Sequence, residues 1–589
     1  MSFYWDFLAI LFSRLLPLFL LWFIAVASFN MHSTTLGRLV AAASFLDLVS
    51  GSPLSPVARQ EVTPYAATVN GTYAGIHNEQ FNQDYFLGMP FAQPPIGPLR
   101  FRNPASLNTS WSGIANATQF SAACPPQSGD NVSEDCLSIN VYRPAGYEQG
   151  ANLPIGLWIY GGGHVFGSNS DPLYNMSYMI QEAVNVGKPF IGISINYRLQ
   201  AYGYMYGSEV VKAGVGNLGY KDQHLALRWV QENIEVFGGD PTKVTIWGES
   251  AGGMSVGALT IAHGGVDTGL FRGAILESAG PVNPFKYTTP QEWDVWYDAI
   301  VEAAGCSGSA DTLECLRTVP EDQLNAVLNS NVTAPITSFG MEIDGDFIRE
   351  NAREQYAAGK FVRVPILQGH NHDEGTAMTY RGVNTDEQFL TAVMNRALNN
   401  ETAMEIARLY PDIPEDGIPA TFHGRPDATL GLQYKRITAV MTDLIWHAPR
   451  RLQAKILDQY KVPNWGFLFN VLPPGTASST GVTHALEMPY VFNNLAVGSY
   501  GPVTQEAPQE HKDIARIISK YWINFIVDGD PNSLPPVNRT WPQWTAESPQ
   551  LMEFNVNKTE TAAPIPDTYR AEGIDYIMAN LGNGFGRKR

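Results

Sequence analysis

Lys243-Val244-Thr245-Ile246-Trp247-Gly248-Glu249-Ser250-Ala251-Gly252 carries the decisive signal in this chain. Residues 243–247 are mostly β-branched or aromatic and read as a strand, residues 248–252 are small or polar, and the pattern from 250 to 262 is helical. Working outward, the apolar runs 155–160 (IGLWIY), 190–196 (FIGISIN), 273–277, 364–368 and 466–471 read as further strands. Between 221 and 237, Leu225, Leu227, Trp229, Val230 and Ile234 fit a helix that stops at Gly238-Gly239. Shorter β-rich runs at 68–76 and 85–90 precede them. Continuous apolar strands alternating with helices predict an α/β fold around a parallel sheet buried on both faces.

The 589 residues hold 38 Lys and Arg against 56 Asp and Glu, a net charge of −18 at pH 7. That balance argues against a nucleic-acid partner, whose phosphates need compensating cations. Hydrophobic residues at 44% supply a large core, which excludes disorder as the main state. No short repeat, low-complexity tract or Pro/Ser linker cuts the middle of the chain. The expected organisation is a leader over residues 1–51 and a single domain over 52–589.

Residues 15–29 (LLPLFLLWFIAVASF) are uncharged, and extended back to Phe7 they reach the ~20 residues that cross a bilayer, interrupted by Arg14. Asp6, with no Lys or Arg before Arg14, makes a poor signal n-region. A second start-like pattern begins at Met31, with Arg38, the apolar residues 39–46 and the small-residue site Val49-Ser50-Gly51. Three readings follow: a signal anchor, one over-long cleaved signal, or translation from Met31. Each delivers the chain to the secretory lumen, with a membrane role only through an N-terminal anchor. Cys124, Cys136, Cys306 and Cys315 fall into two close pairs. Four cysteines allow three connectivities; nearest-neighbour pairing is the simplest in an oxidising compartment. A metal site is the alternative, but the spacing lacks the tight C-x₂₋₄-C signature. Nine sequons, at Asn70, Asn108, Asn116, Asn131, Asn175, Asn331, Asn400, Asn538 and Asn557, are usable for glycosylation there.

Gly248-Glu249-Ser250-Ala251-Gly252 fits G-x-S-x-G, a nucleophile on a sharp strand-to-helix turn. The pattern alone is weak, and the chain holds a decoy in Gly253-Met254-Ser255-Val256-Gly257. Position separates them, because Ser250 follows a strand and opens a helix whereas Ser255 lies inside that helix. A serine hydroxyl needs a base to take its proton and donors for the developing oxyanion. Gly161-Gly162-Gly163, directly after the strand at 155–160, is a loop of unobstructed N–H groups. Together with the N–H of Ala251, it lies where such an elbow expects its donors.

On these and further residues the chain resembles the type-B carboxylesterase/lipase family, which includes cholinesterases and certain fungal lipases. The matching segments begin with Phe86-Leu87-Gly88 through Pro94-Pro95, Leu99-Arg100-Phe101 and Ser133-Glu134-Asp135-Cys136-Leu137-Ser138-Ile139-Asn140-Val141. They continue through the glycine run, Asn196-Tyr197-Arg198, Asn217-Leu218-Gly219, Asp222-Gln223 and the elbow. Glu277-Ser278-Ala279-Gly280, Asp373-Glu374-Gly375-Thr376, Tyr521-Trp522, Gly529-Asp530-Pro531-Asn532 and Trp541-Pro542 complete the set, in family order.

The resemblance implies the α/β-hydrolase fold, a large mostly parallel central sheet with helices on both faces. It implies a serine hydrolase that cleaves carboxylic esters, small-molecule or lipid, through an acyl-enzyme on Ser250, with no metal and no organic cofactor. The family acid maps to Glu374 and the base to His484, in the chain order Ser, Glu, His. The oxyanion donors map to Gly162, Gly163 and Ala251, and the disulfides to Cys124–Cys136 and Cys306–Cys315. Among rivals, Asp373 is expected to point away from the base, His370 and His372 precede the acid, and His224 and His263 read as structural or solvated.

Two departures bear on the substrate. In relatives the first disulfide loop is usually much longer and in the fungal lipases forms a lid. Here residues 125–135 contain no Trp, Tyr or Phe and no amphipathic helix pattern, against both a lipid-sensing lid and a choline-ester specialist. His164 stands where the family generally has Phe and is expected to face polar neighbours. The alternatives to a general esterase are a lipase or sterol esterase on long-chain esters, and a non-enzymatic binding member of the family.

Overall fold

The computed structural model describes residues 63–585 except 130, 286, 337–338, 498–506 and 534–538. The leader expected over 1–51 and the sequon Asn538 lie outside the described residues. The described strands are β1 (Tyr65–Ala67), β2 (Thr72–Ala74), β3 (Ile76–Asn78), β4 (Gln83–Pro90), β5 (Ile114–Asn116), β6 (Ser138–Pro144) and β7 (Leu153–Ile159). After them come β8 (Ile191–Ile195), β9 (Gly239–Glu249), β10 (Gly273–Glu277), β11 (Ile366–Asn371), β12 (Asn464–Phe469), β13 (Gln550–Phe554) and β14 (Ala562–Pro566). Eleven of them form one sheet in the order β14-β13-β12-β11-β10-β9-β7-β8-β6-β4-β3, and β1, β2 and β5 make a separate small sheet. Neighbours from β8 through β13 run parallel, and the pairs at either margin are antiparallel. This is the α/β-hydrolase architecture, a large mixed sheet with helices on both faces.

The central strands are apolar because nothing on either face reaches water. Every residue of β8, β10 and β12 is buried, so the alternation of a one-sided strand is absent. β6 was not legible as a strand, since Ser138, Asn140 and Arg143 interrupt its apolar run. All three are buried and hydrogen-bonded: Asn140 Nδ2 donates to Ser194 Oγ at 3.1 Å, and Arg143 donates from Nε and Nη2 to Asp84 Oδ2 at 3.1 Å. The run 68–76 opens on a turn closed by Thr68 N–H on Gly71 O, and of its residues only β2 and the first residue of β3 are in strand.

The parallel register brings the carboxyl ends of the central strands to one edge. Ile159 lies opposite Gly248, Glu249 opposite Glu277, and Glu277 opposite Gly369. The loops that leave these strands therefore open side by side: 161–163 after β7, Ser250 after β9, Ser278 after β10 and Glu374 after β11. Ligands of open α/β sheets bind outside these ends.

Buried ion pairs hold the flanking loops. Arg198 donates from Nη2 to Asp222 Oδ1 at 2.6 Å and from Nε to Oδ2 at 2.9 Å, with both side chains buried. Asp222 lies on helix α1 (Leu218–Asn233). Arg100 pairs with Glu134 at 2.6 Å and donates to the carbonyls of Leu316 and Val319. It thereby ties the loop closed by one disulfide, Cys124–Cys136, to the segment after the other, Cys306–Cys315. Replacing Arg198 by Met strands a buried carboxylate. We expect a loss of roughly 3–5 kcal/mol of stability, read from the denaturant midpoint, whereas an exposed pair such as Lys212–Glu209 is worth under about 1 kcal/mol.

Candidate active site

Ser250 joins β9 to helix α2 (Ala251–Gly265) with φ 56° and ψ −122°, a conformation L-residues rarely adopt. Its N–H donates to Glu277 O at 2.9 Å, which pins the turn to β10. A Cβ on Gly252 would lie 2.0 Å from Ile159 O, and one on Gly248 would lie 2.6 Å from the Gly252 carbonyl carbon. Glycine is thus required at both flanks by backbone approach. The decoy Ser255 is buried within α2, and its hydroxyl lies 2.9 Å from Ala251 O.

Three residues far apart in sequence meet at this turn. His484 Nδ1 donates to Glu374 Oε2 at 2.6 Å, which leaves Nε2 to accept from the Ser250 hydroxyl at 2.8 Å. Glu374 is fully buried, and its other oxygen accepts from Ser278 Oγ at 2.6 Å and from Asn371 N–H at 2.7 Å. Asp373 faces elsewhere: its Oδ2 accepts from Val482 N–H at 2.8 Å, and its own N–H donates to Val482 O at 2.9 Å. It clamps the His484 loop to the Glu374 loop. The Trp446 ring lies 5.4 Å from the imidazole and shields it.

Gly162 and Gly163 sit at φ +83° and +66°, and a Cβ on Gly162 would lie 2.2 Å from Phe166 O. Among the described residues, the N–H groups of Gly162, Gly163 and Ala251 donate to no protein acceptor. Gly163, Ala251 and Ser250 line one cavity of about 240 Å³, with Met254, Phe285 and Phe339 on its walls. His164, also on that wall, is buried, with Nδ1 3.1 Å from Phe339 O and Nε2 3.3 Å from Ser255 Oγ. Burial lowers its pKa to about 4, so it is neutral.

Sequence reasoning missed the carboxyl groups packed around the imidazole. Glu249 lies 3.2 Å from His484 Nε2, and Glu487 accepts from Asn371 Nδ2 at 2.6 Å. Their sequence signals are adjacency to Ser250 and a three-residue step after His484. Burial raises Glu249 well above the usual carboxylate range and Glu487 to about 7. Burial alone would depress His484, but Glu249, Glu374 with its hydrogen bond, and Glu487 outweigh it and raise the imidazole. Of the remaining histidines, His224 meets His263 and Phe347 edge-on, while His372 binds Asp373. His370 lies behind the triad against His447.

A profile described as the carboxylesterase family matches residues 58–575. A secreted triacylglycerol lipase of Gibberella zeae is 33% identical over 572 residues, covering 90% of this chain and 93% of the lipase. Human cocaine esterase is 31% identical over 86% of this chain and 88% of its own length. The crystal structure of Aspergillus niger EstA superposes with a TM-score of 0.75 at 28% identity, over 88% of this chain and 98% of that one.

An imidazole must be neutral to accept the Ser250 proton, so a kcat/KM that depends on that transfer falls as the pH drops through the His484 pKa. Because that pKa is raised, the acid limb of a kcat/KM profile is expected above pH 6.5, the ordinary histidine value. Glu374→Gln removes the bonded carboxylate and the correct tautomer. It is expected to lower kcat by roughly 10⁴ and to move the limb to lower pH.

Proposed function

The chain belongs to the carboxylesterase family and is a carboxylic ester hydrolase, and we propose that Ser250 is its nucleophile, His484 its general base and Glu374 the acid that orients the imidazole. The observation that carries this assignment is the unbroken hydrogen-bond chain from Ser250 Oγ through His484 to Glu374, at a turn held by backbone contacts. Ser250 Oγ attacks the ester carbonyl as His484 Nε2 takes its proton. The N–H groups of Gly162, Gly163 and Ala251 receive the oxyanion, which is why free donors there matter. His484 then protonates the departing alcohol, and a second round with water releases the acid.

We further propose short to medium acyl chains as the preferred substrates. The 240 Å³ cavity at Ser250 is smaller than the roughly 300–1,000 Å³ of sites for drug-sized ligands. None of the described residues between Cys124 and Cys136 is helical, which supports an enzyme without a helical lid on that loop. A second reading, hydrolysis of long-chain lipid esters, is favoured by the apolar cavity wall and by relatives named as lipases. Secretion is supported by the two disulfides and by relatives described as secreted. The described sequon asparagines are exposed or half-buried, open to glycosylation.

Hydrolysis of p-nitrophenyl esters from acetate to palmitate tests the reading. The expected maximum is at short to medium chains, with Ser250→Ala lowering kcat by roughly 10⁶. A maximum at palmitate above its micellar threshold selects the lipase reading. Turnover that survives Ser250→Ala overturns the nucleophile assignment.

A further inference from the structure

His164 stands between the two segments that carry the proposed oxyanion donors. It follows Gly163 directly, with φ +58°, a left-handed conformation that is uncommon for a residue with a Cβ. Its carbonyl accepts from Gln200 N–H at 2.7 Å. Its buried ring packs among Tyr204, Tyr220 and Tyr197, with centroids 4.4, 5.3 and 6.2 Å away. Both ring nitrogens have partners. Nδ1 lies 3.1 Å from Phe339 O, which can only accept, so Nδ1 carries the proton. Burial keeps the ring neutral, which leaves a lone pair on Nε2, 3.3 Å from Ser255 Oγ.

Ser255 is the other half of a bridge. Its Oγ accepts from Gln223 Nε2, on helix α1, at 3.0 Å, which leaves the hydroxyl proton free to be donated. Two acceptors lie within reach of that proton, His164 Nε2 at 3.3 Å and Ala251 O at 2.9 Å, and a three-centre bond serves both. Ala251 is the first residue of α2, and its N–H is one of the proposed donors. One hydroxyl and one ring therefore join the glycine loop after β7 to the first turn of α2, and both side chains are buried away from water. Phenylalanine would fill the same tyrosine-lined space but could bond neither Phe339 O nor Ser255.

We propose that His164 is a positioning residue of the ester-cleaving site: through Ser255 it clamps the glycine loop to Ala251 and so fixes the spacing of the N–H groups that receive the oxyanion. The inference rests on Gly162, Gly163 and Ala251 acting as proposed above. Spacing matters because the oxyanion exists only in the tetrahedral intermediate, and donors already aimed at its position stabilise it without first moving. A loosened clamp leaves the ground-state ester bound as before and raises the barrier, so the cost falls on kcat rather than on KM. The bond to Phe339 O ties the same ring to the wall of the 240 Å³ cavity, which sets the donors relative to the acyl group as well as to each other.

The test compares wild type with His164→Phe, His164→Gln, Ser255→Ala and the double variant His164→Phe/Ser255→Ala. Each is assayed on p-nitrophenyl butyrate and inhibited with two ketones. Ser250 Oγ adds to the carbonyl of 1,1,1-trifluorohexan-2-one and leaves an oxyanion, whereas hexan-2-one binds without adding. His164→Phe is expected to lower kcat about tenfold with KM within about twofold of wild type, short of the roughly 10²–10³ that loss of a whole donor costs. Its inhibition constant for the trifluoroketone is expected to rise by the same factor, and that for hexan-2-one to stay unchanged. Ser255→Ala is expected to match it, and the double variant to be no worse than either single one, since both break one bridge. His164→Gln, whose amide can bond on both sides, is expected to recover most of kcat. Should His164→Phe not fold, Ser255→Ala and His164→Gln carry the same comparison. A lower melting midpoint with kcat and trifluoroketone affinity unchanged makes His164 a packing residue and overturns the inference. Losses that add overturn it too, as does an equal rise in both inhibition constants, which makes the ring an acyl-pocket contact. If wild type binds the two ketones alike, the oxyanion reading falls first and this inference with it.

Discussion

The backbone of Ser250 is the constraint on which the site depends. At φ 56° and ψ −122° the residue is held where an L-side chain is strained. The strain persists because its surroundings leave no alternative: the N–H is taken by Glu277 O, and Gly248 and Gly252 close against each other and against Ile159 O. Those contacts exist only if β7, β9 and β10 lie side by side in parallel register. The sheet therefore does more than support the proposed nucleophile. It enforces the turn that lifts Oγ out of the β9 line and starts α2 with a free N–H.

The same edge explains why so many carboxyl groups gather there. Glu249 and Glu277 are register partners at the ends of β9 and β10, Glu374 follows β11, and Glu487 follows the His484 loop. Several full charges in so small a buried volume would repel strongly, and burial resolves this by raising Glu249, Glu277 and Glu487 toward their neutral forms. The proposed role of Glu374 fits that division, since it alone is bonded to imidazole Nδ1 while its second oxygen is satisfied by Ser278 and Asn371. Trp522 Nε1 donates to Glu277 Oε1 at 2.6 Å, which ties the cluster to helix α3 (Gln509–Asp528).

What was legible in the sequence follows from what each signal requires. The strands β7 to β12 were readable because strands buried on both faces run mostly apolar. β6 was not, because its polar residues are paid back by partners more than fifty positions away, such as Ser194 and Asp84. Ser250 was readable because the elbow compresses a backbone constraint into five adjacent residues. Glu374 and His484 came from resemblance, since nothing local to either residue says that they meet across 110 positions. Arg100, Glu134, Arg198 and Asp222 stood out as family motif residues, and they are buried ion pairs that hold loops.

The central claim is that one strained serine at the sheet edge carries the acyl group. Its most direct test is covalent trapping: the native protein is incubated with diethyl p-nitrophenyl phosphate, digested, and mapped by tandem mass spectrometry. The account predicts a single diethylphosphoryl adduct on Ser250, formed at a rate that follows loss of activity and is abolished in His484→Ala. A stoichiometric adduct on another residue, or full inactivation with Ser250 unmodified, would contradict it.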